Sequence, residues 1–324
     1  MKGRRILWVV VVIQGLIFSF LGESPASEKK FPTKSIQLII PFQPGNTDNL
    51  LRPFIDKLPT YLGQPVVFVF KPGAGGAIGT KFAASSKADG YTLIGASTSP
   101  IVVIPLNHSD AGYTWESFAP ISCLAASPVG LFVRSNAPWK NIKEFADEAK
   151  KFPGQISYAS AGRFTTPHLV IEAFSKEAGI KLNHIPNQGA GPSVTALLGG
   201  HVQAASVPVA SAFPHIKAGS FRALVVYDPK RARVLSDVPT LLEMGYSTSF
   251  SSVSGILAPK GTPKEVIETI HQATQKVIKD HSDYIIDRLD KIGCQISLSG
   301  PEEFKSILKQ QHEHFSHLIK DLKQ

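Results

Sequence analysis

The sequence predicts an α/β protein made of two lobes, and three observations support this prediction. Short apolar runs alternate with helical stretches, which is typical of strand–helix–strand units in a mostly parallel sheet. This alternation occurs in two successive series. The chain has 324 residues, of which 43% are hydrophobic, and single cores tend to stop growing near about 250 residues. We therefore expect two cores.

The elements follow one another in a regular order. The first series runs through IQLIIPF, TDNLLRPFIDKL, PVVFVFK, AIGTKFAASS and YTLIGAS. The second runs through GLFVRS, NIKEFADEAKK, QISYAS, PHLVIEAFSKEAG, KLNHIP, PSVTALLGG, VQAASV, SAFPHIKAG and RALVVY. After SVSGILAP come two longer helices, PKEVIETIHQATQKVIKD and PEEFKSILKQQHEHFSHLIKDL, separated by CQISLS.

We expect this helical tail to pack back on the first lobe. The chain then crosses between the lobes twice, near residues 127–133 and 251–257. The first lobe is predicted to comprise residues 27–128 plus 252–324, and the second lobe residues 129–251.

The N-terminus has the pattern of a secretory signal peptide. A basic start is followed by an apolar run over residues 6–21 and by small residues at Ser24 and Ala26. We expect a signal peptide over residues 1–26, cleaved near Ala26. An uncleaved membrane anchor is the alternative, because the apolar run is long for a signal. In both cases the rest of the chain lies outside the cytoplasm.

The net charge and the cysteine content limit the kinds of partner and of covalent cross-link that we expect. The net charge of +9 falls to +7 without residues 1–26, which hold three basic residues and one acidic residue. A basic surface concentrates anionic solutes. Nucleic acid is not expected as a partner, because the lysines and arginines are dispersed. The two cysteines, Cys123 and Cys294, either form one disulfide in an oxidising compartment or remain buried free thiols.

Two segments resemble cofactor-binding or metal-binding motifs, but neither has the residue spacing that its motif requires. In PGAGGAIG, at residues 72–79, the glycine spacing fails the dinucleotide-binding pattern, and a tight turn into a helix is the simpler interpretation. In HEHFSH, His312 and His317 are five residues apart and point away from each other on a helix, unlike a zinc-binding pair. No G-x-S-x-G motif occurs. We expect no metal, no cofactor and no enzymatic activity.

Three strand-to-helix turns share one design. They are PFQPGNTD at residues 41–48, YASAGRFTTPH at 158–168 and PNQGAGPS at 186–193. Each directs free backbone N–H groups and the positive end of a helix toward the carboxyl ends of the strands, where open α/β sheets bind ligands. Two lobes that present such turns to each other predict a clam-like site for a small anion.

The charged residues of these turns have two interpretations each. Asp48 lies in a first helical turn, where compensation of the helix dipole is favoured over proton transfer. Arg163 either holds a carboxylate through its two-pronged guanidinium or is a solvated loop residue. His168 either contacts the ligand or, as we prefer, fixes its loop through hydrogen bonds.

With these motifs in view, the chain resembles the extracytoplasmic solute receptors of tripartite tricarboxylate transporters, also called the Bordetella uptake gene family. The resemblance covers essentially all of the chain after the signal peptide. It rests on FPTKSIQLIIPFQPGNTD, LGQPVVFVFKPGAGGAIGTKFAASSKADGYTL, ISYASAGRFTTPHLVIEAF, HIPNQGAGPSVTALLGGHV, PHIKAGSFRALVVY, DVPTLLEMGY and GILAPKGTPKEVIETI.

The resemblance implies a periplasmic protein with a two-lobed periplasmic-binding-protein-like fold of type II. Such a receptor closes on a small carboxylate, held largely by backbone groups and water, and delivers it to the subunits of a membrane permease. We expect a monomer. A sensor input for a membrane kinase remains an alternative, as does an exported enzyme, for which only Asp48 and His168 offer acid–base groups.

This chain departs from the family pattern in both loops. The first loop is one residue short and has Asn46 where glycine is common, and Phe164 replaces a glycine in the second. We therefore expect an anionic ligand with some apolar or aromatic surface, contacted by Phe42 and Phe164. The candidate ligand-binding residues are Phe42, Gly45, Asn46, Thr47, Asp48, Ser97, Arg163, Phe164, Thr165, Thr166, His168, Gly189, Ala190 and Ser206.

Overall fold

The computed structural model of the chain describes residues 30–108 and 110–323. The predicted signal peptide and its cleavage position lie outside these residues. Two sheets form the framework. The strands are β1 (Ile36–Ile40), β2 (Val66–Phe70), β3 (Thr92–Ser97), β4 (Phe118–Ser127), β5 (Val129–Arg134), β6 (Ser157–Ser160), β7 (Asn183–Pro186), β8 (Ala204–Pro208), β9 (Phe221–Val226), β10 (Ser252–Pro259) and β11 (Gln295–Ser299).

Ten α-helices occur within the described residues. They are α1 (Thr47–Ile55), α2 (Pro59–Leu62), α3 (Ala77–Ala84), α4 (Ile104–Asn107), α5 (Ile142–Lys151), α6 (Thr166–Ala178), α7 (Ala190–Leu198), α8 (Val209–Lys217), α9 (Lys264–Asp290) and α10 (Pro301–Lys323). A π-helical turn, Ser99–Val103, leads into α4. Across the ranges that the structure describes, no helix is long and apolar enough to cross a bilayer.

The first lobe is built on a six-stranded sheet in the order β11-β4-β10-β3-β1-β2. Strand β1 lies between β2 and β3 and pairs with both in parallel. Four of its five residues are fully buried, because helices cover a parallel sheet on both faces. The turns that leave the carboxyl ends of β1 and β3 consequently point to the same edge of the sheet.

The second lobe is built on a five-stranded sheet in the order β7-β6-β8-β5-β9. Strand β6 pairs in parallel with β7 and β8, whereas β5 is antiparallel to β8 and β9. Strand β10 is likewise antiparallel to β3 and β4 in the first lobe. The prediction of mostly parallel sheets is therefore wrong for the strands next to the crossovers, because these strands run back in the opposite direction.

The chain crosses between the two sheets twice, as expected. Strand β4 ends at Ser127 in one sheet and β5 begins at Val129 in the other, and the return crossing leads from β9 to β10. Asp228 joins the two crossings. One carboxylate oxygen accepts a hydrogen bond from the Val129 N–H (3.1 Å), and the other accepts one from the Ser251 hydroxyl (2.8 Å). These crossings support the proposed lobe boundaries.

The two C-terminal helices pack on the first lobe. Helix α9 packs against α1, α2, β4 and β11, and α10 packs against β4. Helix α10 also reaches α6 of the second lobe, where Lys176 donates to the backbone carbonyl of Asp321. The two cysteines are free and buried, so the alternative of two buried thiols describes this structure.

Candidate functional site

The three turns of common design meet at the cleft between the lobes. The first and third turns touch through their backbones, because the Gln43 N–H donates to the carbonyl oxygen of Gln188 at 3.3 Å. The second turn contacts the first lobe where the Thr166 N–H donates to the Ser99 hydroxyl at 2.9 Å. The lobes are therefore in direct contact around the predicted site.

Glycines allow this close approach. A Cβ atom on Gly45 would lie 3.3 Å from the Cα of Gly191, and one on Gly162 would lie 3.1 Å from the Cα of Gly75. Gly75 belongs to the PGAGGAIG segment, which forms a tight turn with Gly73, Gly75 and Gly76 at positive φ before α3 begins. Gly75 thus serves the contact between the lobes, whereas Gly73 and Gly76 face side chains of the first lobe.

A small cavity lies between the lobes at these turns. About 30 Å³ of the cavity is accessible to water, which is room for a few water molecules. Of the side chains in the described part of the chain, none that lines the cavity is charged. Six of the predicted residues do line it, namely Phe42, Asn46, Ser97, Thr165, Thr166 and Ala190.

The first turns of α1 and α6 face this region with unused hydrogen-bonding groups. The N-cap residues of these helices, Asn46 and Thr165, make no side-chain capping bond. Thr47 and Thr166 begin the two helices and are 1% and 2% exposed. Among the described residues neither hydroxyl has a hydrogen-bond partner. A buried hydroxyl without a partner costs about 1–3 kcal/mol. Of the two, Thr166 lines the cavity and is placed to bind a ligand there, whereas Thr47 does not line it.

Asp48 is buried and holds its own turn together. One of its carboxylate oxygens accepts hydrogen bonds from the N–H groups of Gly45 (2.9 Å) and Asn46 (3.2 Å). The Ser211 hydroxyl of the second lobe in turn lies 3.3 Å from the carbonyl oxygen of Gly45 and from the side-chain oxygen of Asn46. This geometry matches the structural interpretation of Asp48 and leaves proton transfer without support.

Arg163 and Phe164 lie outside the cavity, although the sequence predicts both as ligand contacts. The Arg163 side chain is exposed and does not line the cavity. The Phe164 ring packs edge-on against His108 of the first lobe, with ring centroids 5.3 Å apart. It packs similarly against His168 at 5.9 Å. Phe164 has a φ of +57°, which explains why glycine suits this position.

His168 fixes the second turn through a hydrogen bond and through packing of its ring. Its Nδ1 accepts a hydrogen bond from the Phe164 N–H at 3.2 Å. Its ring centroid lies 4.1 Å from that of His184, whose Nε2 is 2.7 Å from the Ser160 hydroxyl. Burial, reinforced by the charge of Arg163, lowers the pKa of His168 to about 4. The same burial, with His168 and Arg163 nearby, lowers the pKa of His184 to about 3.

Two other predicted residues shape the site without lining it. Gly189 has a φ of +137°, and a Cβ there would meet the backbone nitrogen of Gln43 at 3.5 Å. Ser206 is buried, and its hydroxyl donates to the carbonyl oxygen of Pro167 at 2.7 Å. Ser206 therefore fixes the first turn of α6 from inside the second lobe.

The sequence prediction missed half of the cavity wall. The missed residues are Ser99, Val129, Ala161, Pro167, Pro208 and Ser252. Ser99 follows the carboxyl end of β3 by two residues, so the rule that identified Ser97 could have included it. Val129 and Ser252 begin the strands that follow the two crossings, and the predicted crossings were a usable signal for them.

Comparisons with known proteins agree with this architecture. The model of the tripartite tricarboxylate transporter family receptor matches residues 50–323. The UPF0065 protein in the gbd 5′ region of Cupriavidus necator is 35% identical over 257 residues, which are 78% of this chain and 77% of that protein. A structure described as a periplasmic transporter is 36% identical with a TM-score of 0.85, covering 90% of this chain and 97% of that one.

A second solved structure was determined with a carboxylate. It is an R. palustris protein with adipate, 26% identical with a TM-score of 0.83, covering 90% of this chain and 98% of that one. The matching family is a class of solute-binding receptors. The family model spans most of the chain and both lobes, so the chain belongs to the tripartite tricarboxylate transporter receptor family.

Proposed function

We propose that this protein is an extracytoplasmic receptor that captures a small carboxylate between its lobes and delivers it to a tripartite tricarboxylate-type membrane transporter. One observation carries the proposal. Helices α1 and α6 begin in different lobes at one cavity, whose lining among the described residues carries no charged side chain. The unpartnered hydroxyl of Thr166 lines this cavity, and that of Thr47 is buried next in sequence to Asn46, which also lines it.

The chemistry of this arrangement suits an anion. Each helix N-terminus carries roughly half a positive elementary charge. Hydroxyls add donors, and hydrogen bonds to a charged group are worth about 1.5–3 kcal/mol. A ligand that bridges both lobes favours the closed state because it binds that state more tightly than the open one.

The wall of the cavity indicates the kind of carboxylate. Phe42, Val129, Ala190 and Pro208 contribute apolar surface, and the polar groups are hydroxyls and one amide. A carboxylate with a short aliphatic or aromatic portion fits this combination, and the related structure with adipate supports it. The closed cavity holds only a few waters, so we expect the lobes to separate when such a ligand enters.

The test is a binding titration on Thr166→Val, with adipate, malate and benzoate as ligands. The variant loses the hydroxyl donor but keeps the shape, so affinity should fall roughly 10-fold or more, given the value of a charged hydrogen bond. Thr195→Val, on the exposed side of α7, is the matched control and should bind like the wild type. Unchanged affinity in Thr166→Val would remove the main support for the site.

The identity of the natural ligand and of the partner need separate experiments. Mass spectrometry of small molecules that copurify with the protein from the periplasm should identify a carboxylate. Pull-down from membranes with and without that ligand should recover permease subunits if the receptor serves transport, and a kinase if it serves sensing. Recovery of chemically unaltered ligand after long incubation would argue against the alternative of an exported enzyme.

A further inference from the structure

Backbone strain in this protein is concentrated where the lobes touch. Among the described residues, two that are not glycine have a positive φ, Ala74 at +48° and Phe164 at +57°. This conformation costs roughly 1–2 kcal/mol for a residue with a Cβ. Ala74 lies on the glycine-rich turn of the first lobe and Phe164 on the second turn, in the other lobe. Strained residues persist where the surrounding structure holds them, and they cluster at functional sites.

The two strained loops are in backbone contact. A Cβ on Gly75 would lie 3.2 Å from the carbonyl oxygen of Arg163 and 3.5 Å from the side chain of Thr165. From the other side, Gly162 approaches the backbone of Gly75. Because the facing atoms are mainly backbone, this contact has little freedom to rearrange, and it forms only when the lobes come together.

Phe164 adds a side chain to this contact, and residues of the second lobe fix the position of that side chain. Its N–H donates to His168, and its ring packs edge-on against the ring of the same histidine. The Thr165 hydroxyl donates to the carbonyl oxygen of Gly162 at 2.8 Å, which closes the loop. All of these bonds lie within the second lobe. The ring then meets His108 of the first lobe at an interplanar angle of 78°.

We propose that Phe164 is a latch residue, which stabilises the closed arrangement of the lobes from outside the cavity. It is held in a strained backbone conformation by the second lobe and packs on His108 of the first. This proposal deepens the proposed function and rests on it. It also replaces the ligand contact that the sequence predicts for Phe164, since neither Phe164 nor His108 lines the cavity.

A latch outside the cavity has a characteristic effect on binding. It changes the population of the closed, binding-competent state, so it changes the affinity for every ligand by the same factor. A side chain that touches the ligand would instead change the affinities of differently shaped ligands by different factors. Discrimination between ligands therefore separates the two roles.

The experiment measures the dissociation constants of adipate and malate for Phe164→Ala, His108→Ala and the double variant. An edge-to-face aromatic pair is worth about 0.5–1.5 kcal/mol beyond its buried area, so each single variant should bind about 2- to 12-fold more weakly. The factor should be the same for both ligands. The double variant should bind about as weakly as either single variant, because all three variants lose the same contact between the two rings.

Two further variants keep the result interpretable. Phe164→Gly accepts the φ of +57° without strain, so it should keep or raise the melting temperature and still weaken binding. Phe152→Ala, an exposed phenylalanine of the second lobe, should change neither. Small-angle scattering of the ligand-free protein should give a larger radius of gyration for Phe164→Gly than for the wild type.

The outcomes separate the latch from the binding function. If the wild type binds and Phe164→Gly matches it in affinity and in radius of gyration, the latch is wrong. Unequal factors for the two ligands would return Phe164 to the role of a ligand contact. If the wild type binds neither ligand, the proposal of a carboxylate ligand is contradicted. Scattering then tests the latch by itself, and an unchanged radius of gyration in Phe164→Gly would contradict it.

Discussion

Asp48 shows how an acidic residue can lie next to the anion site that we propose. Its carboxylate would repel a bound carboxylate if it pointed into the cavity. It accepts hydrogen bonds from the N–H groups of Gly45 and Asn46 instead, which spreads its charge over the backbone of the turn. Its position in the first turn of α1 also compensates the helix dipole. We therefore propose that Asp48 maintains the turn rather than contacting the ligand.

We predict that Asp48→Asn lowers the free energy of unfolding by about 1–2 kcal/mol, because a carboxylate is a stronger acceptor for two N–H groups than an amide oxygen. Urea denaturation measures this loss. Asp56→Asn is the control at the other end of the same helix, where a half-exposed pair with Arg52 at 3.9 Å contributes little. An equal loss in both variants would show that the turn does not depend on Asp48.

At the scale of elements, the turns into helices connect the two lobes, in addition to the ligand binding that we propose for them. Gly191 lies in the first turn of α7, and a Cβ there would lie 2.7 Å from the carbonyl oxygen of Pro44 in the first lobe. This is closer than Cβ atoms approach other atoms. The absence of a side chain at Gly191 is therefore a condition for full closure.

Gly191→Ala should accordingly separate stability from binding. Alanine stabilises a helix by roughly 0.5–1 kcal/mol relative to glycine, so the melting temperature should not fall. The carbonyl of Pro44 would hold the lobes apart, so adipate affinity should fall several-fold. Gly199→Ala is the matched control, because the atoms nearest to a Cβ at the end of α7 belong to His201 and Thr195 of its own lobe. Equal affinities in the two variants would contradict the closure argument.

The elements also show how far the sequence could be used for prediction. The alternation of apolar runs predicted the strands, and N-cap residues and glycines predicted the three turns. Strands and turns could be predicted because each depends on residues that are close together in the sequence. The antiparallel direction of β5 and β10 depends on the crossings of the whole chain, which periodicity does not encode. For the same reason the positive φ of Phe164 and its packing on His108 could not be derived, since they require the position of the other lobe.

At the scale of the molecule, two partly buried titrating groups influence stability in opposite directions. Partial burial raises the pKa of Asp228 at the lobe crossings to about 6 from a usual 3.8. Its carboxylate therefore destabilises the fold as the pH rises from about 4 to 6. The pKa of His168 is lowered to about 4 from a usual 6.5. Its contribution to stability is present above pH 6.5 and is lost as the pH falls toward 4.

The histidine contribution can be isolated with His168→Asn, whose amide oxygen can still accept the hydrogen bond from the Phe164 N–H. Between about pH 6.5 and 4 the melting temperature of the wild type should fall relative to that of the variant, because the unfolded chain then takes up a proton that buried His168 does not. Asp228 is present in both proteins and cancels. His201→Asn, at an exposed position, should follow the wild type throughout.

The two cysteines have a practical consequence. Cys123 and Cys294 are the only thiols in the sequence, and burial raises the pKa of each to about 12. Thiols in this state react slowly with maleimide dyes, because the thiolate is the nucleophile. A single cysteine introduced at the rim of the cleft could therefore be labelled in the otherwise unaltered chain. If the lobes move relative to each other on binding, as we propose, a dye at that rim would turn the receptor into an optical sensor for its ligand.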